Sequence, residues 1–440
     1  MDIKLHEPYF YMPTKTIIIK NIEILKKFIF YSIGNFVLKS ITSSIMLITI
    51  TFLTTEEYGL LSLLNNFINI FPIILNLGLR QAFGSEFYHL NSSGKIKMLN
   101  DIIGIYLFIS VPILIISFLN ITFINQIIFV SKANNYLILI ALISCFLNFF
   151  AEFYYQVLRY QCKTYSLTTA QFFVGGVTIL TTILFVYFLK LKISGILLAN
   201  LSGLIAIIVY AFYRYIKVTG PEKFRILHCK KNAIYYLKLG FPFVPNILFA
   251  WILSSGNRWF LVQLDTMQSV GIYSFADNFC QFFNLIILYP LSASYVPHIF
   301  RKFAANKEKI LETNKSNLQN MYFAMGLVFV LITLGYLCLK TIFIKFIPIN
   351  YHESLKFIWF LLIGQIFLMG SYFATAHLLF FKKNYINLVL TIMAAIISSI
   401  LNFVLIPIFG IWGCVISSMI SYFLYWISIL FYTSWLKFKA

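Results

Sequence analysis

The sequence predicts an all-α polytopic membrane protein of about twelve transmembrane helices, arranged as two six-helix halves around a central cavity. Three observations carry this reading. Hydrophobic residues make up 60% of the 440 and charged residues 11%, against about 45–50% and about 25% in soluble domains. Apolar runs near the roughly 20 residues that cross a hydrocarbon core recur at 28–53, 59–79, 102–120, 136–158, 168–189 and 193–214, and again at 236–263, 270–297, 321–346, 356–381, 385–408 and 411–434. Finally, Thr54, Gly59, Ser62, Asn66 and Phe67 return with the same spacing as Thr266, Gly271, Ser274, Asn278 and Phe279, which marks an internal duplication.

The elements follow in order. Residues 1–27 form a basic tail. The run 28–53 is too long for a signal-peptide core and no small-x-small pattern follows it, so it is expected to be a retained first span. Residues 28–216 make the N-terminal half. Residues 217–235 carry Lys217, Lys223, Arg225, Lys230 and Lys231 around the helix-breaking pair Gly220-Pro221, the composition of a linker. Residues 236–435 make the C-terminal half, followed by a tail at 436–440. Because six is even, both halves enter the membrane from the same side; their repeat axis should lie along the membrane normal, with a cavity between them.

Net charge is +20, yet the basic residues alternate between connections rather than forming one patch, which argues against nucleic acid. Lys4, Lys15, Lys20, Lys26 and Lys27 of the tail share a side with Arg80, Lys95, Lys97, Arg159, Lys163, the 217–231 segment, Arg301 to Lys315, Lys382, Lys383, Lys437 and Lys439. Lys132, Lys190, Lys192, Arg258, Lys340 and Lys345 fall on or near the other. By the positive-inside rule both termini are cytoplasmic. The six cysteines show no C-x-x-C spacing and mostly lie in apolar runs, where a thiol behaves as a small hydrophobe, so neither a disulfide framework nor a metal site is indicated. Nucleotide-phosphate, zinc-hydrolase and serine-elbow motifs are absent and no connection has room for a catalytic domain; no enzymatic activity and no cofactor are expected.

Polar groups inside spans are costly and mark candidate sites. Asn35, Lys39, Thr42, Met46 and Thr49 form one stripe on the first span, with Lys39 near mid-depth. Lys39 reads either as a fixed cation for an anionic substrate or as half of a structural ion pair. On the fourth span Glu152 and Arg159 share a face; Glu152 is either an ion-coupling site or a counter-ion to Lys39 or Arg159. The seventh span opens with Gly240, Pro242, Pro245 and Asn246, where two prolines remove backbone donors and predict a hinge. Arg258, further along, suits a phosphate by its charge and fork geometry, or anchors at the interface. Asp277 aligns in the repeat with Asn65, and Asn278 with Asn66; Asp277 is either a pair for Arg258 or a coupling site.

Several stretches resemble the polysaccharide transport family of the multidrug/oligosaccharidyl-lipid/polysaccharide (MOP) export superfamily, which includes O-antigen flippases of the Wzx type. The resemblance rests on Thr54-Thr55-Glu56-Glu57-Tyr58-Gly59, on Gly240-x-Pro242, on Val270 to Ala276, and on Leu401-Asn402 through Leu405-Ile406-Pro407-Ile408-Phe409-Gly410-Ile411-Trp412-Gly413. It implies a MATE-like fold and a flippase that moves an undecaprenyl-pyrophosphate-linked oligosaccharide across a bacterial inner membrane by alternating access. A coupling ion, H⁺ or Na⁺, would drive it, and the polymerase and chain-length regulator of the same pathway would be its partners, besides membrane lipid. Lys39, Arg258, Asn35, Asn65, Asn66, Asn246 and Asn278 supply the cations and amides that a diphosphate and sugars require. One departure is visible: relatives often carry an acid before the arginine of the seventh span, whereas here Asn257 precedes Arg258. Two alternatives remain, a cation-coupled multidrug exporter of the same superfamily and a polytopic polysaccharide polymerase. The internal repeat and short outer loops weigh against the polymerase.

Overall fold

The computed structural model describes residues 48–161, 163–219, 230–284, 299–300, 310–341, 343–381 and 383–435. Among these, ten helices are long and apolar enough to cross a membrane. The N-terminal half comprises α1 (Thr55–Asn76), the short α2 (Leu79–Glu86), α3 (Ser92–Leu119), the short α4 (Ile121–Phe129), α5 (Asn135–Tyr160), α6 (Thr164–Thr182) and α7 (Lys192–Thr219). The C-terminal half comprises α8 (Lys230–Gly240), α9 (Phe243–Ser255), α10 (Asn257–Leu264), α11 (Met267–Phe283), α12 (Ile310–Thr341), α13 (Leu355–Phe380), α14 (Asn384–Phe409) and α15 (Ile411–Trp435). Of the first expected span only residues 48–52 are described as helix, so Asn35 and Lys39 lie outside the described residues. Most of the linker lies outside them too, and helix resumes at Lys230.

The repeated motif has a structural meaning at each position. Thr54 caps α1 through a capping box: its hydroxyl accepts from Glu57 N at 3.2 Å, and Glu57 Oε2 accepts from Thr54 N at 3.0 Å. Thr266 caps α11 through its hydroxyl, which accepts from Ser269 N at 3.1 Å. The two capped helices, one from each half, then cross at Gly59 and Gly271. A Cβ on Gly59 would lie 2.9 Å from Gly271 N and run into Met267 O; one on Gly271 would run into Thr55 O. Only glycine permits this backbone approach. Tyr351, fully buried, closes the same end by donating to Leu53 O or Thr54 O, each at 3.2 Å.

A second glycine seam lies at the opposite end of the halves. Leu77 and Gly78 both adopt the left-handed region, φ 45° and 80°, to end α1 and turn into α2. Gly78 there meets Gly240 backbone to backbone. The seventh span is not one helix. It breaks at Phe241 and Pro242, with Pro242 as the N-cap of α9 and Pro245 in its first turn, where a missing N–H leaves no intrahelical bond unmade. It breaks again at Gly256. The first piece, α8, packs on α2 and α3 of the N-terminal half, whereas α9 packs on α14 of its own half. Asn232 Nδ2 donates to the buried Asp101 Oδ2 and Tyr235 OH to Glu86 Oε1, both at 2.8 Å, fixing α8 in that position.

Candidate functional site

Beyond the Gly59–Gly271 contact a cavity of about 380 Å³ lies between the halves. Its wall is built mainly from two polar stripes. On α1, Tyr58, Ser62, Asn65, Asn66 and Asn69 recur at helical spacing, and on α11 Asp277, Asn278 and Gln281 continue into Asn284. Ser254, Ser255 and Arg258 of the seventh span complete the wall, with Leu368 and Tyr372 of α13. Amides and hydroxyls dominate, and these present both donors and acceptors.

Arg258 is buried on the wall of this cavity, 4% exposed, and its guanidinium makes four hydrogen bonds to protein partners. Its Nη2 lies 2.7 Å from Asp277 Oδ2 and 3.2 Å from Asn278 Oδ1; Nη1 donates to Asn66 Oδ1 at 3.1 Å and Nε to Ser274 Oγ at 3.0 Å. The duplicated Ser274, Asn66 and Asn278 thus all serve one arginine. The amides also bridge the halves. Asn66 Nδ2 donates to Ser255 O at 3.1 Å, and Asn278 Nδ2 to Tyr58 OH at 2.8 Å. A buried pair of opposite charges satisfied in this way is electrically neutral, and removing one member leaves an uncompensated charge. Asn257, at the position where an acid was expected in relatives, is a buried amide hub: it donates to Tyr273 OH and Ser418 Oγ and accepts from Asn402 Nδ2 at 2.7 Å.

A smaller cavity of about 220 Å³ lies toward Gly78 and shares Asn69 with the first. Arg80, Gln81, Asn76, Asn148 and Glu152 line it. Glu152 pairs with Arg80 at 3.0 Å and lies 3.8 Å from Arg159. The left-handed turn at Leu77 and Gly78 delivers Arg80 to α5, where Gln156 Nε2 donates to Arg80 O at 2.7 Å.

Of the candidates read from the sequence, Asn65, Asn66, Asn278, Arg258 and Asp277 meet in the larger cavity and Glu152 and Arg159 meet near the smaller one. Asn246 lines neither; it sits in the first turn of α9 with its Oδ1 buried. Arg80, Asn69, Gln281, Asn284 and Tyr372 were not anticipated as wall residues. The signal for Asn69 and for Gln281 with Asn284 was present in the spacing from Asn65 and Asp277, whereas Tyr372 and Arg80 reach the cavities only through tertiary packing.

The model of the polysaccharide biosynthesis protein family matches residues 24–303. The chain belongs to this family. No curated protein matches the sequence. Among solved structures, the chain is similar to an inward-facing multidrug resistance MATE family transporter of the MOP superfamily, with a TM-score of 0.69 at 13% identity, covering 92% of this chain and 99% of that one. It is also similar to the lipid II flippase MurJ in an inward closed conformation, TM-score 0.66 at 16% identity, covering 93% and 87%. Against an outward-facing MATE transporter the TM-score is 0.55 at 13% identity, covering 92% and 95%. The family member described here therefore has the MATE-like, all-α polytopic fold shared by those transporters.

Proposed function

We propose that this chain is a flippase that carries an undecaprenyl-pyrophosphate-linked oligosaccharide, the repeat unit of an O-antigen or similar surface polysaccharide, across the bacterial inner membrane. The observation that carries the reading is the amide- and hydroxyl-lined cavity at the crossing of the two repeated helices. Sugars offer hydroxyls that both donate and accept, and a wall of Asn, Gln, Ser and Tyr answers them without net charge. Membership of a polysaccharide biosynthesis family and a fold shared with a lipid II flippase support the same class of cargo.

The two glycine seams support a reading of alternating access. The Gly59–Gly271 crossing seals the Thr54 end, and α8 clasped on the N-terminal half narrows the Gly78 end. With both termini cytoplasmic, the sealed end faces outward, in keeping with the better match to inward-facing than to outward-facing relatives. Separation of α1 from α11, with bending at Phe241 and Pro242, opens the other side. A proton or Na⁺ exchanged at Asp277 or Glu152 is the candidate drive.

The multidrug-exporter reading requires an unpaired carboxylate for a cationic drug. Both acids lining the described cavities, Asp277 and Glu152, are paired with arginine, which favours the glycan reading. The class is tested in a bacterium whose own O-antigen flippase is deleted: expression of this chain is expected to restore surface glycan carrying the cognate repeat unit, and Asn65→Ala combined with Asn69→Ala to lower it at equal protein level. Resistance to cationic dyes without any glycan display would replace this reading with the exporter.

A further inference from the structure

The larger cavity poses a problem for a diphosphate-linked cargo, because Arg258, the described cation on its wall, is neutralised one-to-one by Asp277 and already makes four hydrogen bonds to protein. The edge of the smaller cavity differs. Arg80 and Glu152 line it, and Arg159, outside that wall and half exposed, brings a second guanidinium to the same carboxylate oxygen: Glu152 Oε2 lies 3.0 Å from Arg80 and 3.8 Å from Arg159. The second distance exceeds hydrogen-bond reach, so Arg159 is attracted but not saturated. The cluster carries one net positive charge and is partly open, with the side chains of Arg80, Glu152 and Arg159 29%, 40% and 53% exposed. Asn148 and Gln81 add amides to the same wall, and Asn69 joins it to the sugar-sized cavity.

Resting on the flippase reading above, we propose that Arg80 and Arg159 form the phosphate-binding subsite of this transporter, so that the lipid diphosphate and the glycan occupy two adjoining cavities. Glu152 is the internal competitor: it holds the guanidinium groups in position when no anion is bound and yields them to phosphate oxygens, which accept bidentate donors more strongly than one carboxylate oxygen does. The sequence reads Glu152 and Arg159 as coupling site or ion pair; the turn that brings Arg80 to the same carboxylate oxygen makes the set an anion receptor.

The test uses the purified full-length protein in phosphatidylcholine nanodiscs, with farnesyl diphosphate as the probe and farnesol as its neutral counterpart. Wild type is expected to bind the diphosphate and not the alcohol. Arg80→Gln and Arg159→Gln should each weaken binding by about tenfold or more, the loss of one charge-assisted contact, while Arg80→Lys loses less. Glu152→Gln should bind as tightly as wild type or tighter. A purely structural cluster predicts the reverse for Glu152→Gln, since it breaks the same ion pair as Arg80→Gln. Unchanged binding in Arg80→Gln and Arg159→Gln, with wild type binding well, overturns the subsite alone. Failure of wild type to bind any diphosphate overturns the flippase reading and the subsite together. Equal displacement of the probe by phosphatidylglycerol in the disc overturns the assignment to cargo and makes the ligand a glycerophospholipid headgroup.

Discussion

Gly271→Ala places one methyl group where the two halves of the molecule touch. Its Cβ would run into the carbonyl oxygen of Thr55 and lie 3.2 Å from Gly59 N. Both are backbone atoms of a capped helix, so no side-chain rotation relieves the contact and α1 and α11 must separate. Forcing a methyl group into a packed seam costs about 1–3 kcal/mol, and this cost falls only on the conformation in which the seam is closed. The ratio of closed to open molecules should therefore drop by about 5- to 150-fold. Spin labels on cysteines replacing the exposed Glu56 and Gln268 flank the crossing, and their distance distribution measured by electron–electron resonance should shift to longer values in the variant. Gly326→Ala, where an added Cβ meets nothing within 4 Å, is the control and should leave the distribution unchanged. A Gly271→Ala protein with the wild-type distribution and wild-type thermal stability would refute the claim that this seam sets the conformation.

Asp277→Asn or Arg258→Gln alone should destabilise the protein by about 3–5 kcal/mol, because each leaves a buried charge without its partner; thermal unfolding in detergent reads this. The double variant Arg258→Met with Asp277→Leu should recover most of that stability while transport stays lost, separating the structural from the transport role of the pair. Asn65→Ala and Asn69→Ala, on the open wall of the cavity, should keep the wild-type melting temperature and reduce glycan export by about 3- to 10-fold each, the worth of one lost hydrogen bond. Asn232→Ala removes the donor to the buried Asp101 and should raise the labelling rate of a cysteine placed at Asn76, by loosening α8 from the N-terminal half.

The long helices were readable because bilayer thickness imposes a length and a composition on each span, and the ten described span-length helices overlap the apolar runs, whereas the short α2 and α4 lie between runs. The repeated Thr, Gly, Ser and Asn positions were visible as a pattern, but their division of labour was not. That Thr54 caps follows from local sequence, whereas the meeting of Gly59 with Gly271 is a contact between halves. The sequence reads Arg258 as a cation for substrate or an interfacial anchor and Asp277 as its pair or a coupling site; the structure makes the pair, at 2.7 Å. The further acceptors Asn66, Ser274 and Asn278 are something no local pattern specifies. Arg80 was counted only as a loop charge. Its approach to Glu152 depends on the left-handed turn at Leu77 and Gly78, and a leucine at φ 45° has no distinctive sequence signature. The proline pair did mark the break in the seventh span, since each proline acts on its own helix.

The central claim, that the cavity at the duplicated crossing carries a lipid-linked glycan, is tested most directly in liposomes holding the purified protein. A fluorescent undecaprenyl-diphosphate oligosaccharide is placed in both leaflets, and a membrane-impermeant quencher reads how fast the inner pool becomes accessible. The account predicts protein-dependent exchange that slows in the combined Asn65→Ala and Asn69→Ala variant and in Arg80→Gln. Exchange no faster than in protein-free liposomes, across the ion gradients of H⁺ and Na⁺, would contradict it.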